Sequence, residues 1–154
     1  QAQWNKVPFQ MLIMPPINLS YFEQEETVSM MKDWEFLNDR QVFWALSWDM
    51  NGKLLNRIPL IKKLKWREWL AIKGVYGHLT DKNNPFLEKN KNDDTIFLFP
   101  KGSDVMGNTP YWECVVGVHN IFKFFAVEYV RRLTYINRPG IHKGGVRFNF
   151  MMSF

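Results

Sequence analysis

A chain of 154 residues with a net charge of +5, a single cysteine and a mean hydropathy of −0.30 rules out several classes of protein. It contains no apolar run of about 18 residues, which excludes membrane-spanning helices, and Cys114 alone allows neither an intrachain disulfide nor a multi-cysteine zinc site. Aromatics reach 16%, heavy for a soluble domain, and in the longest patterned segments apolar side chains recur at every second position.

In chain order, Trp4–Met14 is a candidate strand that ends at Pro15-Pro16. Segment 23–39 is acidic. Gln41–Met50 alternates well, with Val42, Trp44, Leu46, Trp48 and Met50 on one face and Gln41, Phe43, Ala45, Ser47 and Asp49 on the other. Asn51-Gly52 and Pro59 interrupt the pattern. A basic stretch follows, with Lys53, Arg57, Lys62, Lys63, Lys65, Arg67 and Lys73 opposed only by Glu68. At a helical period Leu60, Ile61, Leu64 and Ile72 share a face only in part. A turn with a basic rim is therefore expected there in preference to a lipid-surface helix.

Trp66–Leu79 is strand-like, but Arg67, Glu68 and Lys73 fall on both faces and leave its sides unassigned. Residues 80–110 form a long stretch rich in Lys, Asn, Asp and Gly. Tyr111–His119 places Trp112, Cys114, Val116 and Val118 opposite Tyr111, Glu113, Val115, Gly117 and His119. Phe125–Tyr135 places Phe125, Val127, Tyr129, Leu133 and Tyr135 opposite Ala126, Glu128, Val130, Arg132 and Thr134. Arg131 interrupts its apolar face. An arginine facing lipid costs roughly 2–4 kcal/mol at the bilayer midplane and nearly nothing at the interface, so Arg131 is expected to snorkel or to meet a partner.

The last segment is the most informative. Val146, Phe148, Phe150, Met152 and Phe154 alternate with Arg147, Asn149, Met151 and Ser153, and the sequence ends on the aromatic. Transmembrane β-strands need about 9–11 residues of this alternation, apolar toward lipid and polar toward the lumen. A terminal phenylalanine on such a strand resembles the signal that outer-membrane barrels present to their assembly machinery. With the C-terminus periplasmic, residues 136–144, 80–110 and 15–33 lie outside, and the Asn120–Phe124 turn and segment 51–65 lie in the periplasm. Short periplasmic turns and long external loops are the barrel pattern, to which segment 51–65 is the exception.

The expected fold is all-β: antiparallel transmembrane strands, with residues 1–154 the C-terminal part of one outer-membrane β-barrel domain. Five strands, or six with Trp4–Met14, fall short of the roughly eight at which single-chain barrels begin, so either these residues belong to a larger barrel or several copies close one together, and the first is expected.

Glu113, Glu128, Arg132 and Arg147 fall on the inferred lumen face, where they are expected to pair across strands as a ladder or to line a polar path. His78, His119 and His142 have no metal-ligand spacing and read as hydrogen-bonding residues. Asp93, Asp94 and Asp104 read as solvated loop charge, since no twelve-residue calcium loop is present. Ser29, Ser47 and Ser103 lack a nucleophile-elbow context. No catalytic residue, metal or cofactor is expected, and the protein is not expected to be an enzyme.

Several blocks carry a resemblance. They are Trp34-Glu35-Phe36-Leu37-Asn38-Asp39-Arg40, Asn51-Gly52, the run from Leu55 to Glu68, Tyr76-Gly77-His78-Leu79-Thr80-Asp81-Lys82-Asn83, Pro110-Tyr111, Gly117-Val118-His119-Asn120-Ile121-Phe122, and Arg132-Leu133-Thr134-Tyr135. From about Pro8 to Phe154 the chain resembles the end of a Bacteroidota outer-membrane family whose members carry an N-terminal carboxypeptidase-regulatory-like β-sandwich and a large region of unassigned function. Arg131 stands where members often carry an aromatic. The resemblance implies a C-terminal barrel segment and brings no catalytic residues.

The function expected is transport or scaffolding in the outer membrane, alone or within a larger envelope complex. Its partners would be outer-membrane lipid, the barrel assembly machinery and other envelope proteins, with no nucleic acid. The alternative is a soluble basic β-domain that binds a partner or polyanion through aromatic and Lys/Arg side chains. Salt-dependent binding and extraction without detergent would mark that class.

Overall fold

Alternation at period two becomes a single sheet. The computed structural model describes residues 5–22, 24, 26–92 and 98–150. Strands β1 (Arg40–Asp49), β2 (Arg67–His78), β3 (Tyr111–Ile121), β4 (Phe125–Arg132) and β5 (Gly144–Phe150) pair in sequence order, each antiparallel to the next. The sheet is antiparallel and open, with β1 and β5 at its edges, and by itself closes no barrel.

Trp4–Met14 makes no strand over its described residues. Phe9–Met11 is a single 3-10 turn, and Ile13 alone bridges to Asn38. Pro8, Pro15 and Pro16 lack the amide hydrogens a ladder needs. The fourth strand stops at Arg132, before the expected Tyr135, because Tyr135 takes a left-handed φ of 55° and the Thr134 hydroxyl accepts the Trp112 N–H. In the terminal strand, Met152 and Phe154 lie outside the described residues.

Segment 51–65 is a turn with a basic rim, but it also holds a helix. Leu55–Arg57 forms a 3-10 turn, and α1 (Pro59–Leu64) follows with Pro59 in its first turn and Lys65 closing it at a φ of 55°. Proline's fixed φ and missing N–H suit a helix start.

The register aligns the even-numbered residues of β1 to β3 with the odd-numbered residues of β4. Leu46, Ile72, Cys114 and Arg131 form one row, and Trp48, Leu70, Val116, Tyr129 and Val146 the next. This face is open. Segment 7–39 covers the opposite one, and the core lies between them. Met30 packs with Trp69, Ala71, Val115 and Val130, and Val28, Met31 and Phe36 pack with Val75, Tyr111 and Met106. A third cluster, Leu12, Leu37 and Leu79, closes the end where the long loops gather.

Two sites need glycine for close approach. A Cβ on Gly74 would meet the Trp44 ring at 2.3 Å, because that indole lies across the glycine to reach Trp112, with ring centroids 5.0 Å apart. On the covered face a Cβ on Gly117 would meet Glu128 Cγ at 2.6 Å.

Candidate functional site: an apolar open face over a charged covered face

The open face carries the large apolar side chains. Val42, Leu46 and Trp48 on β1, Ile72 and Tyr76 on β2, and Val116 on β3 are exposed, as are Val127, Tyr129, Val146, Phe148 and Phe150. Leu46 is 71% exposed and Val116, mid-strand in the centre of the sheet, 53%. Five strands about 4.8 Å apart and roughly eight residues long project an area of roughly 600 Å². That is the upper end of the largest apolar patch on a typical soluble monomer, and accessible area exceeds projection. Arg131, an exposed residue, interrupts this face next to the last residue of β4, at its loop end.

The covered face holds buried charge. Glu113, Glu128 and Arg132 are at most 1% exposed, and Arg147 is half-buried. The register sets Glu113 beside Arg132 and Glu128 beside Arg147, as a ladder requires. The side chains nevertheless find other partners, which corrects the expected cross-strand pairing. Glu113 accepts the backbone N–H groups of Ser29 and Met30 and the Tyr111 hydroxyl, at 2.9–3.1 Å. Arg132 makes a bidentate pair with Glu35, at 2.6 and 2.9 Å, and donates to the carbonyls of Met30 and Thr134. Its guanidinium also sits 4.9 Å from the Tyr111 ring centroid. Arg147 donates to the Ser29 carbonyl.

Glu128 lies over Gly117 and bonds His119 Nε2 at 2.7 Å, and Trp69 stacks on that imidazole at 5.1 Å. Glu128 Oε2 and Arg147 Nε are buried without a hydrogen-bond partner. Lys73, 1% exposed, donates to the Gln24 carbonyl. These contacts tie segment 18–35 to the sheet by charge as well as packing.

Sequence reasoning missed Glu35, Asp39 and the role of Lys73. The available signal was the acidic stretch 23–39 facing a strand set with buried cations. Asp39 accepts the Thr80 N–H and hydroxyl and the Asn83 side-chain amide, which pins loop 80–110 to the start of β1. Arg138 stacks on Phe36 and Tyr135, at 4.7 and 5.1 Å, and bonds Asp104 at 2.6 Å. Burial raises the Tyr135 phenol above its ordinary pKa range. Asp104 is thus an ion-pair partner, while Asp93 and Asp94 lie outside the described residues. His78 is exposed at the end of β2, and His142 lines a recess of about 490 Å³ with Tyr21, Met30 and Arg147.

Among the described residues no three His, Cys, Asp or Glu side chains converge as a metal site, and no helix is long and apolar enough to cross a membrane. No family model, curated protein or solved structure matches the chain.

Proposed function

We propose that this chain is the C-terminal part of an integral outer-membrane β-barrel, of the Bacteroidota family its sequence blocks resemble, acting in transport or as a scaffold. The observation that carries this reading is the open face. Apolar residues cover it across all five strands, while Glu113, Glu128, Arg132 and Lys73 are buried on the other side. A water-soluble sheet puts its apolar residues inside and leaves charge in solvent. A barrel strand reverses this, apolar toward lipid and polar toward the lumen. The lengths of β1 to β3, 10, 12 and 11 residues, suit a tilted bilayer crossing.

The loop pattern supports the same reading. Loops 80–110 and 133–143 and segment 7–39 gather at one end, and the turns 50–66 and 122–124 lie at the other. In this reading segment 7–39 is external chain folded back onto the lumen wall. The protein takes lipid as its surrounding partner, enters the membrane through the barrel assembly machinery and performs no catalysis. The soluble alternative, a basic β-domain that binds a partner through aromatic and Lys/Arg side chains, would need a partner broad enough to cover the apolar face across all five strands.

The test is a denaturing gel of the native, detergent-extracted protein, boiled and unboiled, with intact-mass analysis of the same band. A heat-shifted band far heavier than 18.4 kDa is expected. An unshifted 18.4 kDa band extracted without detergent would sink the membrane reading.

A further inference from the structure

Charge is unevenly divided between the two ends of the sheet. Residues 49–68 and 120–125, the two turns opposite the long loops with their flanking strand residues, carry seven Lys and Arg against Asp49 and Glu68. That difference equals the +5 of the whole chain, so the remaining side chains sum to zero. The two carboxylates are already engaged: Asp49 accepts the Asn51 N–H, and Glu68 accepts those of Leu54 and Leu55.

A recess of about 400 Å³ opens between the turns, lined by Lys63, Leu64, Lys65, Asn120 and Lys123. No carboxylate lines it, and its volume lies in the range that holds small ligands. Its walls are fixed to each other by Asn120, whose amide donates to the Lys65 carbonyl at 2.6 Å. Its shape uses costly backbone. Lys65 and Asn120 are left-handed, and Phe122 and Lys123 occupy the centre of a turn closed by the Phe124 N–H, with φ of 51° and 75°. Such centres normally go to Asn and Gly, and a left-handed L-residue costs about 1–2 kcal/mol. Leu64 in its lining is exposed, and so are two apolar side chains on the same turns, Leu60 at 78%, one helical turn before Leu64, and Phe122 at 77%, next to Lys123.

We propose that this recess holds the phosphate headgroup of an anionic phospholipid, with Leu60, Leu64 and Phe122 entering the acyl region beside it. The inference rests on the membrane reading above, which with a periplasmic C-terminus sets these turns at the inner leaflet. Ammonium groups meet the phosphate while their alkyl stems lie along lipid. Aromatic and basic side chains together are the ordinary composition of a membrane interface. The occupant is a lipid rather than a free anion because the cations and the exposed apolar side chains lie on the same two turns.

The experiment is native mass spectrometry of the full, detergent-extracted protein titrated with phosphatidylglycerol, with phosphatidylcholine as the zwitterionic comparison. The Lys63→Gln/Lys65→Gln/Lys123→Gln variant should bind phosphatidylglycerol on the order of a hundredfold more weakly, since each lysine near a lipid surface contributes about fivefold. The Lys→Arg triple should retain binding, as should Lys89→Gln/Lys91→Gln/Lys101→Gln at the loop end. An unchanged heat shift on the gel establishes that each variant is folded.

Equal binding by wild type and the Gln triple would overturn the site and leave the membrane reading standing. Displacement of the lipid by millimolar inorganic phosphate would overturn the lipid assignment in favour of a free-anion site. Extraction without detergent, with lysine-dependent binding of a single-stranded oligonucleotide, would overturn the membrane reading itself.

Discussion

Arg132→Met should destabilise the protein by roughly 3–5 kcal/mol, because it leaves the Glu35 carboxylate buried without its bidentate partner. Arg132 is 1% exposed and spends its donors on Glu35, the Met30 carbonyl and the Thr134 carbonyl. Removing it leaves Glu35 with only the Lys32 N–H and the more distant Arg138 guanidinium, at 3.8 Å, and unpins segment 18–35 from β4 at once. Adding Glu35→Leu should restore much of the loss. A well-packed apolar pair in place of a buried ion pair is often close to neutral, whereas a lone buried charge is not. Lys32 loses the side-chain acceptor of its N–H in that double variant, so recovery should be incomplete. Urea unfolding in detergent, with limited proteolysis of segment 18–35 as a second readout, measures both effects. Equal and additive losses in the two single variants and the double would mean that the two side chains act independently.

Val116→Arg should cost about 2–4 kcal/mol for folding into phospholipid vesicles and less than about 0.5 kcal/mol if that face meets water. Val116 sits mid-strand in β3, flanked in its row by Leu70 and Tyr129, and half of its surface is open. Val116→Leu keeps the apolar character and should be nearly silent. Arg131 on the same face explains why position matters. It is next to the last residue of β4, from which, in the membrane reading, a guanidinium would reach the interface, and Val116 has no such exit. Urea-dependent refolding into vesicles separates the outcomes, and a silent Val116→Arg would remove the lipid-facing assignment of the open face.

Strands β2 to β5 were legible because each has a more open and a more covered face, written locally as a two-residue period, and β1 alternates in sequence although both its faces are exposed from Ala45 to Asp49. All five strands are observed, and those of their expected bounds that fall on described residues lie within a few residues of the observed ones. The faces of β2 were not legible, since Lys73 and Glu68 place charge on both. The fold resolves this with distant partners: the Gln24 carbonyl receives the Lys73 ammonium, and the N–H groups of Leu54 and Leu55 meet Glu68. Helix α1 escaped because six residues are too few for a helical period to show.

The covering role of segment 7–39 was hidden for a related reason. It has little regular structure of its own, and its course depends on Glu113, Arg132 and Arg147, more than eighty residues away. Alternation groups Glu113, Glu128, Arg132 and Arg147 on one face, and the register sets them together on the covered face of the sheet. Of their partners, Ser29 and Glu35 come from the covering segment, which no spacing within a strand encodes, while His119 lies on the same face of β3.

The most direct measurement compares two side chains with similar exposure but opposite assigned surroundings. Leu46 is 71% exposed on the open face, and Leu98 is 79% exposed in the long loop. Leu46→Cys and Leu98→Cys, each in a Cys114→Ser background, are treated in reconstituted vesicles with a charged, water-soluble maleimide. Lipid around the sheet predicts rapid labelling of Leu98→Cys and none of Leu46→Cys until the protein is unfolded in urea. Labelling of both at the same rate would contradict a lipid-facing sheet.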